Sequence, residues 1–161
     1  MTQNKTILWV IQAIIIGSIL LYIGLLIHHA YVPDVPFSSM AKAIQKSTHK
    51  SKLVKGTDKD LLRLYGLNAN DLNHYNLQIS KESMNVNEIL LLQVKNKNQT
   101  DTVKQALTNH LDQQKKSYNG YGASQMKLLN HAILKVRGNY LLFVVFPDVD
   151  PIYQAFTKSI S

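Results

Sequence analysis

The sequence contains no cysteine. That excludes a disulfide framework, a lipid-modified N-terminal cysteine and any thiolate-held zinc or iron–sulfur centre. Only Arg63 and Arg137 among the 18 basic residues are arginines, and aromatic residues are few. Groove readout leans on arginine and single-strand binding on aromatic stacking, so no nucleic-acid partner is expected. Acids number ten, which leaves a net charge of +8. Such a charge favours polyanionic neighbours: lipid headgroups or anionic wall polymers. A phosphate-cradling glycine loop, a nucleophile elbow and a metal-binding helix pair such as HExxH are also missing. No catalytic residue, cofactor or metal is therefore assigned.

Against these absences stands one long apolar run, residues 7–27. It reads ILWVIQAIIIGSILLYIGLLI, 21 residues without a charge. As a helix rising 1.5 Å per residue it measures about 30 Å, the thickness of a bilayer's hydrocarbon core. Gln12 and Ser18 are its only strongly polar side chains, and Trp9 and Tyr22 lie near its ends, where amphipathic rings favour the interface. A cleaved signal peptide has a shorter core and a small-x-small cleavage site, whereas His28-His29-Ala30-Tyr31 follows here. The run is read as an uncleaved signal anchor behind a short N-terminal tail. Ala13 and Gly17 form a small-xxx-small pair, with Gly24 two turns on, the pattern through which two anchors would pair weakly as a homodimer. Lys5 on one side and Lys42 and Lys46, less Asp34, on the other leave the positive-inside comparison nearly balanced.

Residues 28–56 read as a juxtamembrane basic linker with a short helix. Pro33 and Pro36 give an extended exit path, and Ser38 or Ser39 caps a helix through Lys46 with Met40, Ala43 and Ile44 on one face. Lys42, Lys46, Lys50, Lys52, Lys55 and Lys59 face a single acid, Asp58, in this stretch. A solvated linker is the simple reading. The sharper one is contact with an anionic surface, where each lysine contributes about 1 kcal/mol, screened by salt.

Residues 57–161 read as one α+β domain. Thr57 caps a helix that Gly66 ends. Tyr75, Leu77 and Ile79 alternate with polar residues as a half-buried strand, and 88–94 (EILLLQV) is a second, central one. Val103, Ala106, Leu107, His110 and Leu111 repeat at helical spacing over 101–116. A short helix follows from Ser124. Ile133 to Arg137 and the run YLLFVVF from Tyr140 are joined by Gly138-Asn139, a tight-hairpin signal, and the second should be buried on both faces. Asp150-Pro151 opens a last helix with Ile152, Tyr153, Phe156 and Ile160 as its stripe. The expected fold is a small antiparallel sheet of about four strands with helices packed on one face, in two ββα-like halves.

Tyr65-Gly66-Leu67, then Met84 with Glu88-Ile89, Lys95, the helix carrying Gln99, Val103 and Ala106, Gln113 with Tyr121, Gly138-Asn139-Tyr140 and Phe156 follow in order. This pattern resembles a bacterial, mostly Firmicute, domain-of-unknown-function family that sits behind a membrane anchor or lipoprotein signal. The resemblance covers about residues 57–158 and carries no activity. It implies an extracytoplasmic C-terminal domain, and so an N-inside orientation.

Candidate chemistry is sparse. Glu88 opens an apolar strand and is the best candidate for a functional acid; a salt bridge to Lys95 or Lys135 is its simpler account. His28-His29 suits interfacial anchoring, and His110 a packed, hydrogen-bonded place at the core edge. Asp148 and Asp150 are too few oxygens for calcium, and capping explains Asp150. Tyr118, Tyr121 and Tyr140 line a groove or simply pack. The leading expectation is a non-enzymatic, membrane-tethered binding or accessory domain that meets envelope proteins or anionic wall polymers. The alternative is a membrane-bound envelope hydrolase or peptidoglycan-modifying enzyme using Glu88 or Asp148. A domain facing the cytoplasm and reading anionic lipids is a third reading.

Overall fold

The computed structural model describes residues 3–30, 36–48, 52–82 and 84–160, and in the first helix the side chains of Trp9 and 11–24. The chain divides into two compact units, Met1–Val32 and Pro33–Ser161. In the first, helix α1 runs Gln3–Ala30. Its described apolar side chains are exposed on every side of the helix. Among the described residues no helix is long and apolar enough to cross a membrane. The run 7–27 extends beyond the described side chains at both ends.

The second unit is built on a five-stranded antiparallel sheet in the order β1-β2-β3-β5-β4. Its elements are α2 (Phe37–Lys46), β1 (Leu53–Lys55), α3 (Asp58–Tyr65), β2 (Leu72–Ser80), β3 (Glu88–Val94), α4 (Thr100–Tyr118), α5 (Ala123–Asn130), β4 (Ile133–Arg137), β5 (Tyr140–Val145) and α6 (Asp150–Ser159). Sequence cues place several boundaries. Thr57 and Asp60 form a reciprocal capping box at the start of α3, and Gly66 ends it at φ 67°. Gly138 at φ 59° makes the two-residue turn of the β4–β5 hairpin. Asp150 lies inside the first turn of α6 rather than capping it, with Val149 in the cap position.

Two expectations are corrected. The sheet has five strands, not about four, because Leu53–Lys55 pairs with the end of β2. That stretch was expected to be solvated linker; three residues are too few to show a strand period. Helices also cover both faces rather than one. Every residue of β3 and β5 is buried, and a strand wet on one face would alternate instead. On one face Leu90, Leu92, Leu141 and Phe143 join Leu61 and Tyr65 of α3, Val103 and Leu107 of α4 and Leu129 of α5 in a single core. On the other face Ile89, Leu91, Leu142 and Val144 are equally buried. The buried apolar residues left to cover them are Met40 and Ile44 of α2, Ile152 and Phe156 of α6 and Ile160 at the end of α6, and the two helices pack on each other.

Candidate functional site

The alternation of β3 sets the site. Glu88 has the same parity as Leu90 and Leu92, so it points into the face covered by α3 and α4. Tyr65 ends α3 one turn after buried Leu61, and His110 follows Val103 and Leu107 along the buried stripe of α4. The three side chains meet. Tyr65 Oη donates to Glu88 Oε2 at 2.5 Å, and His110 Nε2 lies 2.8 Å from Glu88 Oε1. All are at most 5 % exposed. With the carboxylate ionised, the imidazole must carry its proton on Nε2. The Tyr65 and His110 rings are 4.5 Å apart, and both meet the Phe143 ring edge-on at about 6 Å. Burial first, and then the Glu88 charge, hold the Tyr65 phenol well above its usual range, so it remains a donor.

Above this cluster lies an open cleft of about 320 Å³ between α3, the β2–β3 loop and α4. Glu88 forms part of its lining, with Arg63, Lys81, Asn85, Asn87 and Gln114 around it. Arg63 Nη2 donates to Asp60 Oδ1 at 2.9 Å. The loop is closed by Ser80 N–H donating to Asn87 O, and Asn85 Oδ1 accepts from the Asn87 N–H at 2.9 Å. Asn87 Oδ1 is buried with no hydrogen-bond partner among the described residues. Leaving such an acceptor unpaired costs about 1–3 kcal/mol. Two further clefts, of about 320 and 280 Å³, share Asn85 and Asn87 with the first.

The residues singled out in the sequence are distributed as follows. Glu88 is not bridged to Lys95 or Lys135. Lys95 Nζ donates to Asn70 O at 2.6 Å, and Lys135 sits over the Tyr153 ring. Both belong to other faces or edges, whereas Glu88 points inward. Lys42 and Lys46 are exposed one turn apart on α2, Lys52 lies 3.9 Å from Glu82, and Lys55 and Lys59 flank one shallow depression with Tyr75. Lys50 and His49 lie outside the described residues, as do the side chains of His28 and His29. Asp148 is exposed. Tyr118 and Tyr121 stack at 5.8 Å, but Tyr140 pairs with Gln93 on the opposite face, so the three tyrosines line no common groove. Ala13, Gly17 and Gly24 are exposed along α1. No group of three metal-ligating side chains occurs among the described residues. The Tyr65–Glu88–His110 constellation was not assembled from the sequence. The usable signal was parity: an acid in phase with a strand's buried leucines, and a histidine in phase with a helix's buried stripe.

Residues 46–146 match the family described as a domain of unknown function, DUF4358. The chain belongs to that family. The DUF4358 region runs from the end of α2 to just past β5. It therefore takes in the whole sheet, α3, α4 and α5, and all three members of the buried cluster. The α6 helix lies outside it, as does all of α2 before Lys46. No curated protein and no solved structure matches the chain.

Proposed function

We propose that this chain is a single-pass membrane protein of a bacterial, Firmicute-type cell, whose DUF4358 unit is a non-enzymatic binding or accessory domain on the outer surface. One observation carries the anchor. Ile11, Ile14, Ile15, Ile16, Ile19, Leu20, Leu21 and Ile23 are all at least 43 % exposed around one helix. A helix apolar on every side has no face suited to water, and a continuous exposed apolar surface calls for lipid or a protein partner. The uncharged run 7–27 supplies the length. Alkaline carbonate washing of membranes tests it. The chain should stay with the bilayer and leave it only in detergent; release by carbonate would refute the anchor.

Two features favour binding over catalysis. Each Glu88 oxygen already holds a side-chain partner in the core, so the acid serves to fix α3 and α4 on the sheet. The exposed lysines Lys42, Lys46, Lys55 and Lys59 suit an anionic wall polymer, lipid headgroups or an acidic envelope protein. The hydrolase reading keeps one observation, that Glu88 reaches the cleft lining. It predicts that Glu88→Gln abolishes turnover of a wall substrate in a chain that still folds. Single-pass anchors of this kind would also allow weak homodimers through Ala13, Gly17 and Gly24.

A further inference from the structure

We propose that the cleft above Glu88 is a saccharide site, filled by a hydroxyl-rich ligand that donates to its floor and accepts from its rim. This rests on the binding reading above and names the ligand's chemistry. The floor offers acceptors. A carboxylate has about four acceptor positions, and Tyr65 and His110 each take one on Glu88. Asn87, in the same lining, carries a buried Oδ1 without a donor among the described residues. The rim offers donors, the Arg63 guanidinium, the Lys81 ammonium and the Gln114 amide, and one carboxylate, Glu82.

Charge decides between ligand classes. A simple anion suits Arg63 and Lys81 but meets the Glu82 carboxylate at the rim and Glu88 below it. A simple cation suits the floor and Glu82 but must pass Lys81 and Arg63, the latter already paired with Asp60. A hydroxyl donates and accepts through one atom and brings no charge, so it satisfies both levels. The size also fits, since sites for small ligands begin at about 300 Å³. The adjoining clefts share Asn85 and Asn87, which gives a chain of sugar units a path around the β2–β3 loop. A zwitterionic amino acid also combines donors with acceptors, and the test separates the two.

The full chain in lipid nanodiscs, labelled on Asn and Gln side chains, is titrated by NMR with three tetrasaccharides: of N-acetylglucosamine, of glucose and of galacturonic acid. Glycine serves as the zwitterion. Saturable shifts of Asn87 and Gln114 with at least one tetrasaccharide are expected. Gln114→Ala and Lys81→Ala, both outside the buried cluster, should each weaken that binding about two- to tenfold, the loss of one hydrogen bond. No saturable shift with any tetrasaccharide overturns the proposal, as does binding unchanged in both variants, which puts the sugar elsewhere. Shifts with glycine alone overturn the ligand class and leave the binding reading standing. That reading fails separately if immobilised full chain retains no envelope polymer or protein at low salt.

Discussion

Burying a carboxylate is costly unless hydrogen bonds compensate it, and each Glu88 oxygen has one. Glu88→Ala leaves a buried phenol and a buried imidazole without their acceptor. It should cost about 3–5 kcal/mol in urea unfolding, the range for breaking a buried pair. A double-mutant cycle of Glu88→Gln with Tyr65→Phe should show a coupling of about 0.5–3 kcal/mol; simple additivity would mean that the short contact contributes nothing. Asp60 gives a prediction of a different kind. The Thr57 backbone N–H first, and Arg63 next, lower its carboxyl from 3.8 to about 2. A folded-state pKa below the unfolded one contributes stability above the unfolded value and loses it as pH falls through the folded one. The unit should therefore weaken between about pH 4 and pH 2, and Asp60→Asn should flatten that part of the melting-temperature profile. An unchanged acid slope in the variant would refute this. The capping box was legible because its partners are three residues apart. The Glu88 cluster was not, because 22 and 23 residues separate Glu88 from its partners, and only the folded sheet brings them together.

Among the elements, β3 and β5 explain both what was legible and what was missed. Their runs EILLLQV and YLLFVVF lack alternation, and such runs need cover on two faces. The strands themselves were therefore readable. The second helical layer was not, because α2 reads as linker. Lys42 and Lys46 are its only charged residues and no acid balances them, while only Met40 and Ile44, one turn apart, are fully buried. Packing against α6 turns that short stripe into core. Met40→Ala should then destabilise the unit by about 2–5 kcal/mol, as for a buried methionine, when followed by denaturant unfolding. A cost under about 0.5 kcal/mol, the size of a surface change, would return α2 to the linker. The edge strand β1 is held more locally. Gly56 N–H donates to Leu77 O at 2.8 Å, and a Cβ on Gly56 would fall 2.6 Å from the Leu77 side chain. Leu77 is fully buried and has no room to yield. A glycine at 56 thus lets β1 lie close against β2, a constraint invisible in the sequence because it concerns space rather than pattern.

For the whole molecule, charge and anchor act together. The net +8 is carried almost wholly after residue 27, since Lys5 is the only charged side chain before it. Positive charge close behind an anchor normally argues for retention on the inner side, but only Lys42 and Lys46 fall near enough to count, and Asp34 offsets one of them. Long translocated domains also cross largely regardless of their charge. The outward reading therefore stands on the family resemblance, and it is open to a direct measurement. With no native cysteine, Lys158→Cys places the chain's one thiol at an exposed position on α6. If the domain faces outward, an impermeant maleimide should label that thiol on intact cells from which the wall has been removed. Labelling only after permeabilisation would invert the anchor. The exposed lysines would then face the inner leaflet, whose anionic headgroups attract lysine by about 1 kcal/mol each, and the protein would be a reader of that leaflet instead of the wall.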